Sequence, residues 1–134
     1  MNILLNKGAI IERCIRRIRQ EHQACPNLDD FTHLDALILN LERACQAAID
    51  MAMHEVARRH LGMPQGAAQA FELLAQAGTL DRELASSLRG MVGFRNIAVH
   101  EYQQLDIAIL QSILNTGLDQ LVSFCFCLGV RIVS

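Results

Sequence analysis

The longest regular pattern in this chain is a run of apolar residues at helical spacing between residues 32 and 61. An apolar side chain recurs every three or four positions, at Leu34, Leu37, Ile38, Leu41, Cys45, Ala48, Ile49, Ala52 and Val56. This spacing puts them on one stripe of an α-helix, whereas a strand would alternate with a period of two. Because a stripe of this length must be buried against other helices, the pattern predicts a helical bundle.

The segments on either side show the same period. Residues 3–24 carry a second apolar stripe, and "CPNLDD" then breaks the pattern, so that Asp30 or Thr32 is the expected N-cap of the long helix. A short helix, "AAQAFELLAQAG", is expected to stop at its terminal Gly78.

The rest of the chain continues as helix. "TLDRELASSLRGMVGFRN" predicts a fourth helix with Thr79 as its cap, and Asp106 is expected to cap a last helix over about 107–131. No alternation typical of a strand extends beyond a few residues. The sequence therefore predicts an all-α protein, an antiparallel bundle of four to five helices, folded as a single domain over residues 1–134.

Composition excludes several classes of function. The formal charge is −2 and the pI is about 6.2, which argues against coating nucleic acid through bulk positive charge. The chain has no Trp, so a base-stacking platform is not expected. Its five Cys have irregular spacing and are expected to be free thiols in a reducing cytoplasm. No apolar stretch is long enough to predict a membrane span or a signal peptide.

Two segments contain pairs of His or Cys residues that suggest metal ligands. "HEVARRH" (54–60) has His at positions 54 and 60, about 120° apart on a helix, instead of the i and i+4 spacing that a zinc protease needs. Cys125 and Cys127 would point about 200° apart on a helix, so core packing is favoured over ligation. We predict no metal site and no cofactor.

Basic residues cluster on the first two helices, at Arg13, Arg16, Arg17, Arg19, Arg58 and Arg59. Glu12 precedes Arg16 by four residues, and Arg17 precedes Glu21 by four, as on a solvated helix face with ion pairs. Some of these arginines are nevertheless expected to attract an RNA backbone, and the sequence does not rank them.

The segment "GFRNIAVHEY" (93–102) concentrates the reactive side chains. Arg95 offers a planar fork of donors for a phosphate, and His100 can accept or deliver a proton near neutral pH. On an unbroken helix the two lie about 140° apart, so they would converge more easily if the helix ended or distorted between them. Residue types alone favour a structural cap or salt link over a catalyst.

The motif R-N-x-x-x-H-x-Y, formed here by Arg95, Asn96, His100 and Tyr102, resembles the signature of the HEPN superfamily, in its HepT-like branch. "LILNLERACQAAIDMA" (37–52), "AFELLAQAGTLDRELASSLRGMVGFRNIAVHEY" (70–102) and the following "LD" (105–106) resemble the same branch, in the same order. The resemblance extends over about residues 3–125.

This resemblance implies a helical bundle that acts as a metal-independent ribonuclease and forms a homodimer, with Arg95 and His100 of both subunits lining one cleft. Asn96 is expected to orient them or to contact phosphate. Asp50 matches a position that is frequently acidic in this branch, and it is expected either to support the site or to be an exposed helix residue. The implied setting is a type II/VII-like toxin–antitoxin pair. Its minimal nucleotidyltransferase antitoxin (MntA-like) would neutralise the toxin by AMPylation of Tyr102.

Two alternatives stay open at this stage. One is a non-catalytic HEPN module that binds a nucleotide or RNA for a partner transferase, with Arg95 as a phosphate ligand only. The other is a plain helical dimerisation domain. An intact set of Arg95, Asn96 and His100 favours the enzyme, because a binding module has less need of the histidine.

Overall fold

The computed structural model describes residues 2–100 and 106–133, without the side chains of residues 98–100. The helices are α1 (Ile3–Ala24), α2 (Phe31–Arg58), α3 (Ala67–Gln76), α4 (Arg82–His100), α5 (Ile107–Ser112) and α6 (Leu118–Cys127), with a π-helical segment (Ile113–Gly117) joining the last two. The part of the chain that is described contains no strand. Since α5, the π segment and α6 form one continuous rod, the described fold has five rods, and the predicted all-α bundle is confirmed.

Side-chain caps fix where several helices begin. The Asp30 carboxylate accepts a hydrogen bond from the backbone N–H of Thr32, so Asp30 is the cap of α2. The Asp106 carboxylate accepts from the N–H groups of Ala108 and Ile109, which confirms the predicted cap of α5. These bonds satisfy backbone donors that the first turn of a helix leaves unpaired.

The predicted Thr79 cap of α4 is wrong. Asp81 has that role, since its carboxylate accepts from the N–H of Leu84 at 2.7 Å and α4 begins at the next residue. Thr79 instead belongs to the turn that ends α3, where its N–H donates to the carbonyl of Leu74 at 2.9 Å. Its hydroxyl accepts a hydrogen bond from Arg59.

The core is built from the two apolar stripes that the sequence predicts. Ile11, Ile15 and Ile18 of α1 are fully buried against the apolar face of α2. At the other end of the chain, Phe71 of α3 meets Phe124 of α6 edge to face, with ring centroids 5.6 Å apart. Helices distant in sequence therefore share one apolar interior.

The last helix ends at Cys127, short of the predicted 131, because the chain turns at Gly129, whose φ of 83° is in the left-handed region. The following residues return along α1. Val130 packs so closely on Gly8 that a Cβ placed there would lie 2.5 Å from its Cγ1 atom. The N–H of Val133 donates to the Glu12 carboxylate at 2.7 Å. A glycine on α1 thus makes room for the C-terminal segment.

None of the helices in the described ranges is long and apolar enough to cross a membrane. The five cysteines are free thiols, and Cys127 is the exposed one.

Candidate functional site

Arg95 lies on α4 with its guanidinium held between two helices. Its Nη1 donates to Oδ1 of Asn96 at 3.0 Å, and its Nη2 donates to Oε1 of Gln46 on α2, also at 3.0 Å. The Nε atom is buried and has no hydrogen-bond partner among the described atoms. Because two acceptors hold the terminal nitrogens, the guanidinium has one preferred orientation.

Gln46 links Arg95 to Asp50, the carboxylate that the sequence analysis proposes as a supporting residue of the site. Its Nε2 donates to Oδ1 of Asp50 at 3.0 Å, and Oδ2 of Asp50 pairs with Nζ of Lys7 on α1 at 2.9 Å. The four side chains form one chain of contacts from Lys7 through Asp50 and Gln46 to Arg95. Asp50 therefore reaches Arg95 through a neutral amide, so its negative charge does not directly occupy the guanidinium.

Sequence reasoning missed Gln46. The available signal was its spacing, since Gln46 and Asp50 are four residues apart and therefore neighbours on the same face of α2. Nothing in the sequence shows that this face meets Arg95, which lies 49 residues farther along the chain.

Cys45 is buried near Arg95 and acts as a packing residue. Burial raises the pKa of its thiol to about 12, against an opposing influence of the Arg95 charge. A thiol with such a pKa stays protonated at neutral pH and is a poor nucleophile. We therefore assign no reactive role to Cys45, which leaves Arg95 as the functional group at this point.

The helix continues past Arg95 as far as His100, so no helix end between the two residues favours their convergence within one subunit. On a continuous helix their side-chain directions differ by about 140°. The His100 side chain is outside the described residues, and so is Tyr102. Arg95 contacts Asn96 directly and Asp50 through Gln46, whereas the roles of His100 and Tyr102 stay predictions.

Three of the six arginines in the basic clusters are held by acidic partners. Arg17 pairs with Glu21 at 3.0 Å, as the spacing predicts, and Arg58 pairs with the buried Glu55 at 2.7 Å. Arg19 pairs with Asp119 at 3.2 Å. The expected pair of Glu12 and Arg16 is not found among the described residues, and the Glu12 carboxylate accepts the N–H of Val133 at 2.7 Å. These contacts distinguish arginines that are held in ion pairs within the protein from arginines whose charge can still bind a ligand.

The two segments that imitate metal sites have structural explanations. Helix α2 ends at Arg58, and His60 lies beyond it with a φ of 55°, so His54 and His60 do not share a helix. Cys125 is buried, which raises its pKa to about 12, while Cys127 is exposed. Within the described residues, no three His, Cys, Asp or Glu side chains are grouped so that they could hold a metal ion.

Comparison with known proteins agrees with the motif. The profile of a family described as ribonuclease HepT-like matches residues 11–127. A protein named mRNA nuclease HepT from Shewanella oneidensis is 42% identical over 124 residues, which are 92% of this chain and 93% of that protein.

Solved structures give the same result at the level of the fold. A tri-AMPylated HEPN toxin of Shewanella oneidensis, in complex with an MNT antitoxin, superposes with a TM-score of 0.90 and 41% identity, covering 96% of this chain and 98% of that one. A toxin–antitoxin structure with AMP-PNP superposes with a TM-score of 0.89 and 41% identity, covering 95% and 98%.

Proposed function

Since the chain belongs to the ribonuclease HepT-like family, we propose that it is a metal-independent endoribonuclease and the toxin of a toxin–antitoxin pair. The observation that carries the proposal is the position of Arg95, whose guanidinium is fixed by Gln46 and Asn96 within the family motif. A fixed cation of planar geometry suits a phosphate whose negative charge grows during reaction.

The proposed reaction uses the 2′-hydroxyl of RNA. His100 takes the proton of that hydroxyl, and the oxygen attacks the adjacent phosphorus while Arg95 stabilises the crowded phosphorane. The bond from phosphorus to the 5′-oxygen then breaks, and that oxygen receives a proton from a second acid. The products are a 2′,3′-cyclic phosphate and a 5′-hydroxyl, and DNA is not a substrate because it lacks the nucleophile.

A homodimer supplies the second acid in this proposal. Positions five residues apart on an α-helix are separated by about 140°, so in this proposal two copies are needed to bring a base, an acid and the cations to one phosphate. Two apolar side chains close to the motif in sequence are available for such a contact, since Ile97 on α4 is 47% exposed and Ile109 on α5 is 48% exposed.

The proposed antitoxin is a minimal nucleotidyltransferase. The structurally similar HEPN toxin is tri-AMPylated and in complex with an MNT antitoxin. For this chain we propose Tyr102 as the AMP acceptor, because phosphates attached seven residues from Arg95 would occupy the guanidinium and repel RNA. The free thiols and the RNA substrate support the cytoplasm as the place of action.

Expression in a bacterial host tests the proposal as a whole. The wild-type chain alone should arrest growth, and Arg95→Ala or His100→Ala should restore it, as should co-expression of the nucleotidyltransferase with the wild type. Arg89→Ala is the matched control, since Arg89 is an arginine on the same helix that pairs with Glu72 at 2.9 Å. Toxicity that persists in Arg95→Ala would contradict the nuclease mechanism and favour a binding module.

The AMP acceptor is tested separately by intact mass. Incubation with the nucleotidyltransferase and ATP should add AMP to the wild type and none to Tyr102→Phe. An unchanged mass in the presence of an active transferase would contradict the assignment of Tyr102, without affecting that of Arg95.

A further inference from the structure

A groove lies between α1 and α2 on the side of the bundle that leads to Arg95. It has a volume of about 330 Å³. Its polar lining consists of Lys7, Arg13, Asn40, Arg43, Gln46 and Asp50. Gln46 belongs both to this lining and to the contacts of Arg95, so the groove is continuous with the candidate site.

The charge of the groove is positive. Lys7 and Asp50 neutralise each other through their ion pair at 2.9 Å, which leaves Arg13 and Arg43 as the uncompensated charges of the lining. Both arginines are exposed, and neither forms an ion pair with a carboxylate of the described residues. They differ in this respect from Arg17, Arg19 and Arg58, which acidic partners hold.

Arg13 and Arg43 both line the groove, together with the buried Cys14. Burial raises the pKa of the Cys14 thiol, and the charges of both arginines oppose this shift. Two cations face one concave surface whose lining carboxylate, Asp50, is already paired with Lys7, and such a surface suits an anion with several acceptor oxygens. Each guanidinium group can donate two hydrogen bonds to the oxygens of a phosphate. An isolated carboxylate cannot accept as many hydrogen bonds from the two groups together.

The position of Arg43 on α2 indicates how far the groove lies from Arg95. Arg43 precedes Gln46 by three residues and therefore lies about one helical turn from the amide that holds Arg95. A strand with one phosphate at Arg95 would bring a neighbouring phosphate toward Arg43. None of the described lining residues is aromatic, so the groove offers charge and no stacking surface for bases.

We propose that this groove binds a backbone phosphate of RNA next to the phosphate at Arg95, through Arg13 and Arg43 and without regard to base identity. The assignment rests on the proposed ribonuclease function. It ranks arginines that the sequence leaves equal, and it adds Arg43, which the sequence analysis did not nominate.

Binding of an uncleavable oligonucleotide tests the groove. The probe is a fluorescein-labelled 2′-O-methyl RNA, whose blocked 2′-oxygen cannot attack phosphorus, and the readout is anisotropy at several salt concentrations. Arg13→Gln/Arg43→Gln should bind about tenfold more weakly at every sequence tried. The slope of log affinity against log salt should fall by about 1.4, for two lost contacts with a single strand.

Arg16→Gln/Arg17→Gln is the matched control, with the same change of charge and with neither residue in the groove. Its affinity should stay within about twofold of the wild type. Equal losses in the two double variants would overturn the groove and leave only a general charge effect. A wild type that does not bind the probe would overturn the groove together with the RNA substrate.

Cleavage of unmodified RNA separates this inference from the proposed function. The groove variant should raise KM about tenfold and leave kcat nearly unchanged, because Arg13 and Arg43 act on a phosphate that does not react. A wild type that binds the probe through the groove but cuts no RNA would defeat the nuclease and retain the binding site. Thermal unfolding of both double variants checks that they remain folded.

Discussion

Gln46 accepts a hydrogen bond from Arg95 through a neutral oxygen. Single substitutions of Gln46 test whether the neutral charge of this oxygen matters for cleavage. Gln46→Glu would place a carboxylate about 3 Å from the guanidinium, where it would compete with the substrate phosphate for the same donors. Gln46→Met keeps a similar volume and removes only the hydrogen bond. We expect initial rates of RNA cleavage with Gln46→Glu to be at least about tenfold below those with Gln46→Met.

Equal rates in the two Gln46 variants would contradict this account, because they would show that the oxygen only fills space. The Asp50→Asn variant tests the next contact, between Gln46 and Asp50. Asp50 is a positioning residue that acts through Gln46, so its loss should reduce kcat less than Arg95→Ala does.

The pair of Glu21 and His33 predicts a pH dependence of stability. Their side chains lie 2.5 Å apart, and the hydrogen bond raises the pKa of His33 above its usual 6.5 and lowers that of Glu21 below its usual 4.5. The His33 contribution is complete below pH 6.5 and is lost as the pH rises through the raised pKa. The Glu21 contribution is complete above pH 4.5 and is lost as the pH falls through the lowered pKa.

Urea unfolding at pH 5.5 and pH 8.5 measures this effect. The wild type should exceed His33→Gln in free energy of unfolding at about pH 5.5, and the difference should shrink at about pH 8.5. Both proteins carry the same thiols, so the comparison cancels their contribution. Both also contain Arg17, the other cation at Glu21. A difference that is the same at both pH values would show that the pair is not ionised in the folded protein.

Among single residues, the sequence finds the groups that carry chemistry and misses those that hold them. Arg95, Asn96 and Asp50 are recognisable from residue type and from the family motif. Gln46 and Arg43 are ordinary residues of a helix surface until α4 and α1 pack beside that surface. Packing partners of this kind depend on the topology, which residue types alone do not encode.

At the scale of elements, the contact of Gly8 with the C-terminal segment controls how α1 packs. A Cβ added at Gly8 would meet the stiff, branched side chain of Val130 at 2.5 Å. The strain of overpacking, about 1–3 kcal/mol, should exceed the gain in helix propensity of about 1 kcal/mol. Gly8→Ala should therefore lower the free energy of unfolding, as measured by urea denaturation.

Two further variants isolate the clash at Gly8. Gly8→Ala/Val130→Ala removes the obstructing side chain, so the added methyl group should cost less there than it does beside Val130. Gly90→Ala, on α4, places a Cβ where no atom lies within 4 Å in this subunit, and it should be neutral or stabilising. A stabilising Gly8→Ala would contradict the proposed close packing of the C-terminal segment.

The helices themselves are largely predictable, because apolar period and capping residues act locally. Asp30 and Asp106 are correctly predicted as caps, and the stripe of α1 is buried as expected. The errors have nonlocal causes. Thr79 is used by the turn after α3, and the last helix contains a π segment in which Gly117 fits against Met91 of α4. No local residue signal reports a contact between distant helices.

At the scale of the whole molecule, we propose that residues 1–134 form a single domain, supported by one apolar core that includes residues from Ile11 to Ile132. Arg95 and Asn96 of the family motif lie on α4, with Arg95 anchored to α2 and the basic groove beside it. A rigid bundle is a suitable support for a site that must hold a phosphate in one orientation.

The central claim is that Arg95 and His100 cleave RNA without a metal ion. The most direct measurement is the cleavage rate of one synthetic RNA in excess EDTA, by the wild type, Arg95→Ala, His100→Ala and the control Arg89→Ala, with the product ends identified by mass. The account predicts 2′,3′-cyclic phosphate ends and losses of at least about a hundredfold in the two motif variants only. Equal rates in the wild type and His100→Ala, or cleavage of the matching DNA, would contradict it.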